Sequence, residues 1–527
     1  MIRRGTFVSH DRTRLLVALG TAFALLPRPA RAADPEGTAD LAAQFYDVRS
    51  PTGETVLQRR RLTASVGVSA YDLLTTPPGD VKAPTLTLRA RLRYDADYGT
   101  NGNVTDPAQV NDFVPGHQNN LVDLMYAYIE GRRFAGGLLG FKVGRQYVTD
   151  ALGWWSFDGG EVSVTTPFFV KAEVYGGFEQ RGGIPLSTGR YESEGIWRAS
   201  RGGFDPNRNL SSLYTSFQPS EVAPAFGAAL ESTGSTWIHG RLTYRRVYNT
   251  GASNVSEFAS GLYAPATYES WRISSDRLGY AMDVNAAKVG GLKLGVVYDL
   301  YRSEITSLYG SIDAYLGNKV TLGADVDYYV PWFDGDSIWN FFAGQPTTTG
   351  TVRANVDVNR HLSLSAGALV KFYTVQTSPF DPISGASNPK QFGYSPSLGP
   401  AGLTYFPPNE HPTDEGGNLA VRWRTGETQL GLRGAGTFGD EGSRVGADLS
   451  GEHLFEGRYI VSGRAGVWQW NDKLRADRDA VGANYVASVG YRFEQRSRAT
   501  VDWEHDINRI AGQRFRVLVR LTVAVTP

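Results

Sequence analysis

Residues 84–98 read PTLTLRARLRYDADY, and their alternation decides the fold. Leu86, Leu88, Ala90, Leu92, Tyr94, Ala96 and Tyr98 fall on one parity, while Thr85, Thr87, Arg89, Arg91, Arg93, Asp95 and Asp97 fall on the other. Successive side chains of a strand point to opposite faces, so this is a strand with one apolar and one charged face. It outruns the roughly 5 or 6 residues usual in soluble sheets and is long enough to cross a bilayer at a tilt, which takes roughly 9 to 11 residues.

The same pattern recurs on both sides of that stretch. Leu62, Ala64, Val66, Val68 and Ala70 alternate with Thr63, Ser65, Gly67 and Ser69, and Leu292, Leu294, Val296, Tyr298 and Leu300 alternate with Lys293, Gly295 and Asp299. Val320 to Tyr328, Leu362 to Phe372 and Tyr485 to Phe493 repeat it, as do Phe515, Val517, Val519, Leu521, Val523 and Val525. Short connections occur at Thr165 to Pro167, Ser232 to Ser235, Val289 to Gly291, Gly317 to Lys319, Asn359 to His361, Gly426 to Glu427 and Phe455 to Gly457. Long ones occur at Gln180 to Glu221, Asn249 to Trp271, Pro331 to Thr349, Thr374 to Gly416 and Asn471 to Gly482. Short periplasmic turns alternating with longer extracellular loops mark outer-membrane barrels.

Composition narrows the class further. The 527 residues hold no cysteine, which leaves neither disulfides nor thiolate metal sites. Lys plus Arg and Asp plus Glu stand at 53 each, so no overall field points toward nucleic acid. Arg3, Arg4, Arg12 and Arg14 precede an apolar run from Leu15 to Leu26 and an Ala30-Arg31-Ala32 cleavage pattern, so residues 1–32 read as a secretory signal peptide. Beyond it no stretch approaches 18 uninterrupted apolar residues, which excludes a helical membrane protein.

The expected organisation is a signal peptide (1–32), an N-terminal segment (33–56) in which Leu41 to Val48 can supply one extra strand, and a barrel over 57–527. About 21 candidate strands and the even-number rule give an all-β, transmembrane, antiparallel up-and-down barrel of roughly 18 to 22 strands.

Between Tyr126 and Tyr175 the chain resembles outer-membrane porins, the alginate-export porins among them. The residues concerned are Tyr128-Ile129-Glu130-Gly131, Phe141-Lys142-Val143-Gly144-Arg145-Gln146 and Phe157-Asp158-Gly159, a strand, turn, strand pattern with a Gly-Arg-Gln element. The resemblance implies a porin and, from the export porins, about 18 strands passing polysaccharide with the help of periplasmic export proteins.

Catalysis on a barrel needs a nucleophile or activated water beside a base. His10, His117, His239, His361, His411, His453 and His505 sit in no metal-ligand or nucleophile-elbow spacing, so we expect no enzyme, metal or cofactor. Phe333 to Asp336 lacks a complete calcium-loop pattern and reads as a polar turn. Trp154, Trp155, Trp332 and Trp503 lie near strand ends, where a membrane-interface girdle is expected and a sugar-stacking track inside the pore is the alternative.

With the apolar parity toward lipid, the lumen receives Arg89, Arg91, Arg93, Arg422, Arg424, Arg433, Arg444, Arg464, Arg492, Arg514, Arg516 and Arg520. Closure would set these side by side as a basic arc, opposite Asp283, Asp299, Asp313, Asp325, Asp327 and Asp357. Such arcs either impose a transverse field on solutes or pair locally across neighbouring strands. The expectation is a bacterial outer-membrane channel for hydrophilic solutes, with polysaccharide export as its specific form. A general passive-diffusion porin is one alternative, and a structural barrel anchoring a trans-envelope secretion or motility complex is another. Expected partners are outer-membrane lipid, the barrel-assembly machinery and the periplasmic export proteins, with no nucleic acid.

Overall fold

The computed structural model describes residues 34–74, 80, 83–97, 121–180, 223–249, 253–259, 262–268, 271–301, 303–330, 346–373, 413–439, 442–472, 479–494, 496–509 and 512–525. The signal-peptide reading, Trp332, Phe333 to Asp336, His10, His117 and His411 lie outside them. The strands are β1 (Asp34–Arg49), β2 (Thr55–Tyr71), β3 (Thr85–Asp97), β4 (Leu121–Arg133), β5 (Leu139–Asp150), β6 (Gly153–Thr165), β7 (Val170–Glu179) and β8 (Pro224–Ser232). They continue as β9 (Ile238–Asn249), β10 (Ser253–Ala259), β11 (Leu262–Tyr268), β12 (Arg272–Ala286), β13 (Gly290–Asp299), β14 (Glu304–Leu316), β15 (Val320–Tyr329) and β16 (Thr347–Asp357). The last eight are β17 (Leu362–Tyr373), β18 (Thr413–Arg424), β19 (Thr428–Gly439), β20 (Gly442–Phe455), β21 (Tyr459–Asp472), β22 (Ala480–Glu494), β23 (Ser497–Asn508) and β24 (Gly512–Val525).

Twenty-two of these strands form one antiparallel sheet, each beside its sequence neighbour, with β9 passing to β12 and β24 returning to β1 to close the barrel. The connection between Asn249 and Trp271, expected as open loop, holds β10 and β11 as a separate hairpin. Asp34–Arg49 is the closing strand: Leu41 stands opposite Ala64 on one side and Leu521 on the other, so alternation on three strands fixes one register. The count of 22 stands at the top of the expected range of 18 to 22, and not at the 18 of the export porins. Strand number belongs to the whole chain, and the resemblance covered only β4 to β7.

Contacts that skip a strand identify the concave face. Arg91 on β3 reaches Asp40 on β1, Arg241 on β9 reaches Glu173 on β7, and Arg353 on β16 reaches Asp313 on β14. Side chains two strands apart meet only inside a closed sheet, so the polar parity faces the lumen. The other parity carries Phe45, Leu92, Leu419, Leu432 and Val467, all exposed in the isolated chain, and forms the band that lipid covers. No described helix is long and apolar enough to cross a membrane, and the strands do so instead. The architecture is that of a bacterial outer-membrane barrel.

The up-and-down order puts all seven expected short turns at one end and all five expected long connections at the other. The loop end also has tight connections, notably the two residues Ala151 and Leu152 between β5 and β6. That short turn lies at the centre of the candidate site.

Candidate functional site

The wall is creased at β5. Its ladder with β4 runs from Gly131 opposite Phe141 to Ala127 opposite Arg145 and stops there, whereas its ladder with β6 continues to Asp150 opposite Gly153. On the lumenal parity, Gly144, Gly159 and Gly177 form one row across β5, β6 and β7. A Cβ on Gly144 would collide with the carbonyl oxygen of Ala127, and one on Gly159 with that of Gly176. Gly144 also has φ +127°, a conformation that a side chain resists. With no Cβ to fill the concave side, the row bends inward.

Beyond the crease the β5–β6 tip leaves the wall and lies across its inner surface. Arg245 on β9 donates from Nη2 to Asp150 Oδ1 at 2.9 Å, and its guanidinium carbon sits 4.9 Å from the centre of the Trp155 ring. Ala151 and Leu152 reach β12, where a Cβ on Gly279 would meet Leu152 Cδ2 at 2.8 Å. From β6 to β12 is four steps of roughly 4.8 Å, about 19 Å of wall. Trp155 donates from Nε1 to Glu179 at 3.0 Å and stacks on Phe157 at 4.3 Å. Val148, Tyr175, Ala223, Ala225 and Val247 complete the apolar packing beneath.

Arg245 stands opposite Arg277 in the β9–β12 ladder, and Arg277 donates from Nε to Asp299 on β13 at 3.3 Å. The sequence of charges across the tip and the wall is therefore Asp150, Arg245, Arg277, Asp299. Their side chains are 0%, 8%, 8% and 5% exposed. Burial at that level is tolerable only because each guanidinium meets a carboxylate. Toward the turn end a second chain of charges runs along the same wall: Lys142 with Glu161, Lys171 with Glu173, Glu173 with Arg241, and Arg241 with Glu231.

By register, the twelve arginines and six aspartates named from the sequence share one parity, that of Arg91, Arg241 and Arg353 with their strand-skipping partners. Many have local partners. Arg91 bonds Asp40, Arg464 bonds Asp448, Arg514 bonds Glu504 and Asp506, Arg516 bonds Glu504, and Arg520 bonds Asp502. Arg422 donates to Gln429, while Arg89 and Arg444 lie over the rings of Tyr71 and Trp468. Among the aspartates, Asp299 takes Arg277, Asp313 and Asp325 share Arg353, and Asp283 stands opposite Lys293. Arg424, Arg433 and Arg492 lie on the β18, β19 and β22 wall, and Asp327 and Asp357 on β15 and β16.

Trp155 corrects the girdle expectation. It is 3% exposed and lumenal, because the tip that carries it folds inward. Trp503 is on the lipid-facing parity and exposed, while Trp154, on the opposite side of the inward tip from Trp155, packs on Tyr147 beside the lumenal Tyr126. Asp150, Arg241, Arg245 and Arg277 escaped the sequence reading. The alternation of Arg241, Thr243 and Arg245 was a usable signal for the lumenal parity of β9, but nothing local reveals a partner four strands away, as Asp150 is to Arg245.

The described histidines contact Glu231 (His239), the Arg424 carbonyl (His361), Thr428 (His453) and Tyr485 (His505). Among the described residues no group of three or more His, Asp or Glu side chains is placed to hold a metal.

No family model and no curated protein matches the chain. Solved structures similar to it include Acinetobacter baumannii OccAB4, at 8% identity over 94% of this chain and 100% of that one with a TM-score of 0.41. Acinetobacter baumannii OccAB1 follows at 9% identity over 95% and 99%, TM-score 0.40. A BenF-like porin from Pseudomonas fluorescens Pf-5 follows at 8% over 94% and 99%, TM-score 0.38. These likenesses are of barrel outline alone.

Proposed function

We propose that the barrel is a passive channel for small hydrophilic solutes across the outer membrane, with its bore narrowed by the β5–β6 tip. The observation behind this reading is the inward fold itself: Asp150 and Trp155 reach across the lumenal face to Arg245 and hold the tip there. Short turns at one end orient that end to the periplasm. Solutes then meet a wall of guanidinium and carboxylate groups that replaces part of their hydration while binding stays weak enough for release. The arginines of β3 and β18 to β24, set against the aspartates of β12 to β16, bias that passage electrostatically.

Polysaccharide export rests on the porin-like residues between Tyr126 and Tyr175 and on the arginine-rich arc. Many of those arginines bond neighbouring carboxylates, which favours the passive channel as the reading. Planar-bilayer recordings test it. Stepwise conductance should appear with the full chain and rise when residues 147–156 are replaced by a two-residue turn. Silence from folded protein with and without the tip would sink the channel and favour the trans-envelope anchor.

A further inference from the structure

We infer that the loop-end half of the seam between β4 and β5 is a lateral opening in the barrel wall, where a carboxylate-bearing amphiphile passes between lumen and bilayer and Arg145 takes its headgroup. The inference concerns the wall and holds whether or not the bore conducts.

The first observation is the interrupted ladder. Among the described residues, β4 from Leu121 to Tyr126 pairs with β3 only, and β5 from Gln146 to Asp150 pairs with β6 only. A register shift between Arg91 and Leu92 leaves Met125 outside the β3–β4 ladder as well. Open sheet edges are not tolerated against hydrocarbon, and irregular backbone at that depth persists where it is covered or lines an aqueous cavity.

The second observation is what bridges the gap. Arg145 donates from Nε and Nη2 to the two carboxylate oxygens of Asp158, at 2.7 and 2.8 Å, and from Nη1 to the Leu124 carbonyl across the seam at 2.9 Å. Asp123 Oδ1 is 3.9 Å away. Arg145 and Asp158 are on the lipid-facing parity, halfway along their strands, where ionised groups are costly and mark function. The rings of Tyr126 and Tyr147 meet edge-on across the same seam at 5.9 Å.

These bridges are exchangeable, unlike a ladder. A guanidinium that holds Asp158 through two parallel bonds accepts any other carboxylate in the same geometry, and doing so weakens its hold on the seam. On the lipid-facing parity beside the seam stand Val122 of β4 and Val143 of β5, both exposed, against which an alkyl chain can lie. An anionic headgroup on an apolar tail matches both features at once.

The cysteine-free chain permits a clean test. Spin labels on Val122→Cys of β4 and Thr149→Cys of the inward β5–β6 tip report in nanodiscs, by double electron–electron resonance, how far the tip stands from the β4 edge of the seam. Added dodecanoate should lengthen and broaden the distance distribution, and Arg145→Gln should abolish the response while Arg145→Lys retains part of it. Asp158→Asn, which frees the guanidinium, should respond at lower dodecanoate and serves if Arg145→Gln does not fold by the gel-shift criterion. An unchanged distribution on adding dodecanoate, an equal response to dodecanol, or a full response in Arg145→Gln would overturn the inference.

Discussion

Arg245 and Asp150 meet at 2.9 Å although β6, β7 and β8 stand between their strands in the wall. The pair exists because the β5–β6 tip turns inward, and both side chains are nearly or wholly buried. A charge left behind after removal of one partner is expensive, which makes the pair the principal lock on the tip.

Arg245→Gln or Asp150→Asn should therefore loosen the tip and leave the barrel intact. Breaking a buried pair costs about 3 kcal/mol, which corresponds to roughly hundredfold faster amide exchange where the opening is local. Hydrogen exchange should show that acceleration in residues 146–157 and leave β18 to β22 unchanged. Uniform acceleration around the barrel would mean that the pair supports the whole wall.

The crease should tolerate no side chain. Gly144→Ala adds a Cβ against the Ala127 carbonyl at φ +127°, and overpacking of this kind costs about 1–3 kcal/mol. Urea titration in vesicles should show that loss. Gly310→Ala, whose Cβ would meet nothing within 4 Å, should be near neutral.

The assignment of faces is separable by charge. Leu419 is on the lipid-facing parity of β18 and 68% exposed, so Leu419→Arg should cost about 2–4 kcal/mol at mid-bilayer. Ala435→Arg, lumenal on β19, should cost far less. Equal costs in the same titration would contradict the parity of this wall.

Arg353 holds both Asp313 and Asp325. Arg353→Gln should leave two lumenal carboxylates without that cation and shift the reversal potential in a salt gradient toward cation preference. Replacing Arg514, Arg516 and Arg520 with Gln should shift it the same way, by exposing Asp502, Glu504 and Asp506. An unchanged potential in both variants would mean that these charges stiffen the wall and do not meet the permeating ions.

The barrel was legible in the sequence because its physics is local. A strand in lipid must show an apolar side every second residue, so the parity of Arg89, Arg91 and Arg93 against Leu88, Ala90 and Leu92 could be read from fifteen adjacent residues. The same logic placed the arginines of β24 and the aspartates of β15 on the opposite parity. Turn and loop lengths then ordered the strands around the barrel.

The tip was not legible, because nothing in Asp150 or Trp155 states which strand they will meet. Trp155 read as an interface residue until the glycine row under it turned the strand inward, and Arg145 read as part of a porin-like element until the β4 ladder ended beside it. Alternation fixes which way a side chain points relative to its own strand. Only closure of the wall, bent at Gly144, Gly159 and Gly177, decides what lies across from it, because that distance is set by the curvature of 22 strands together.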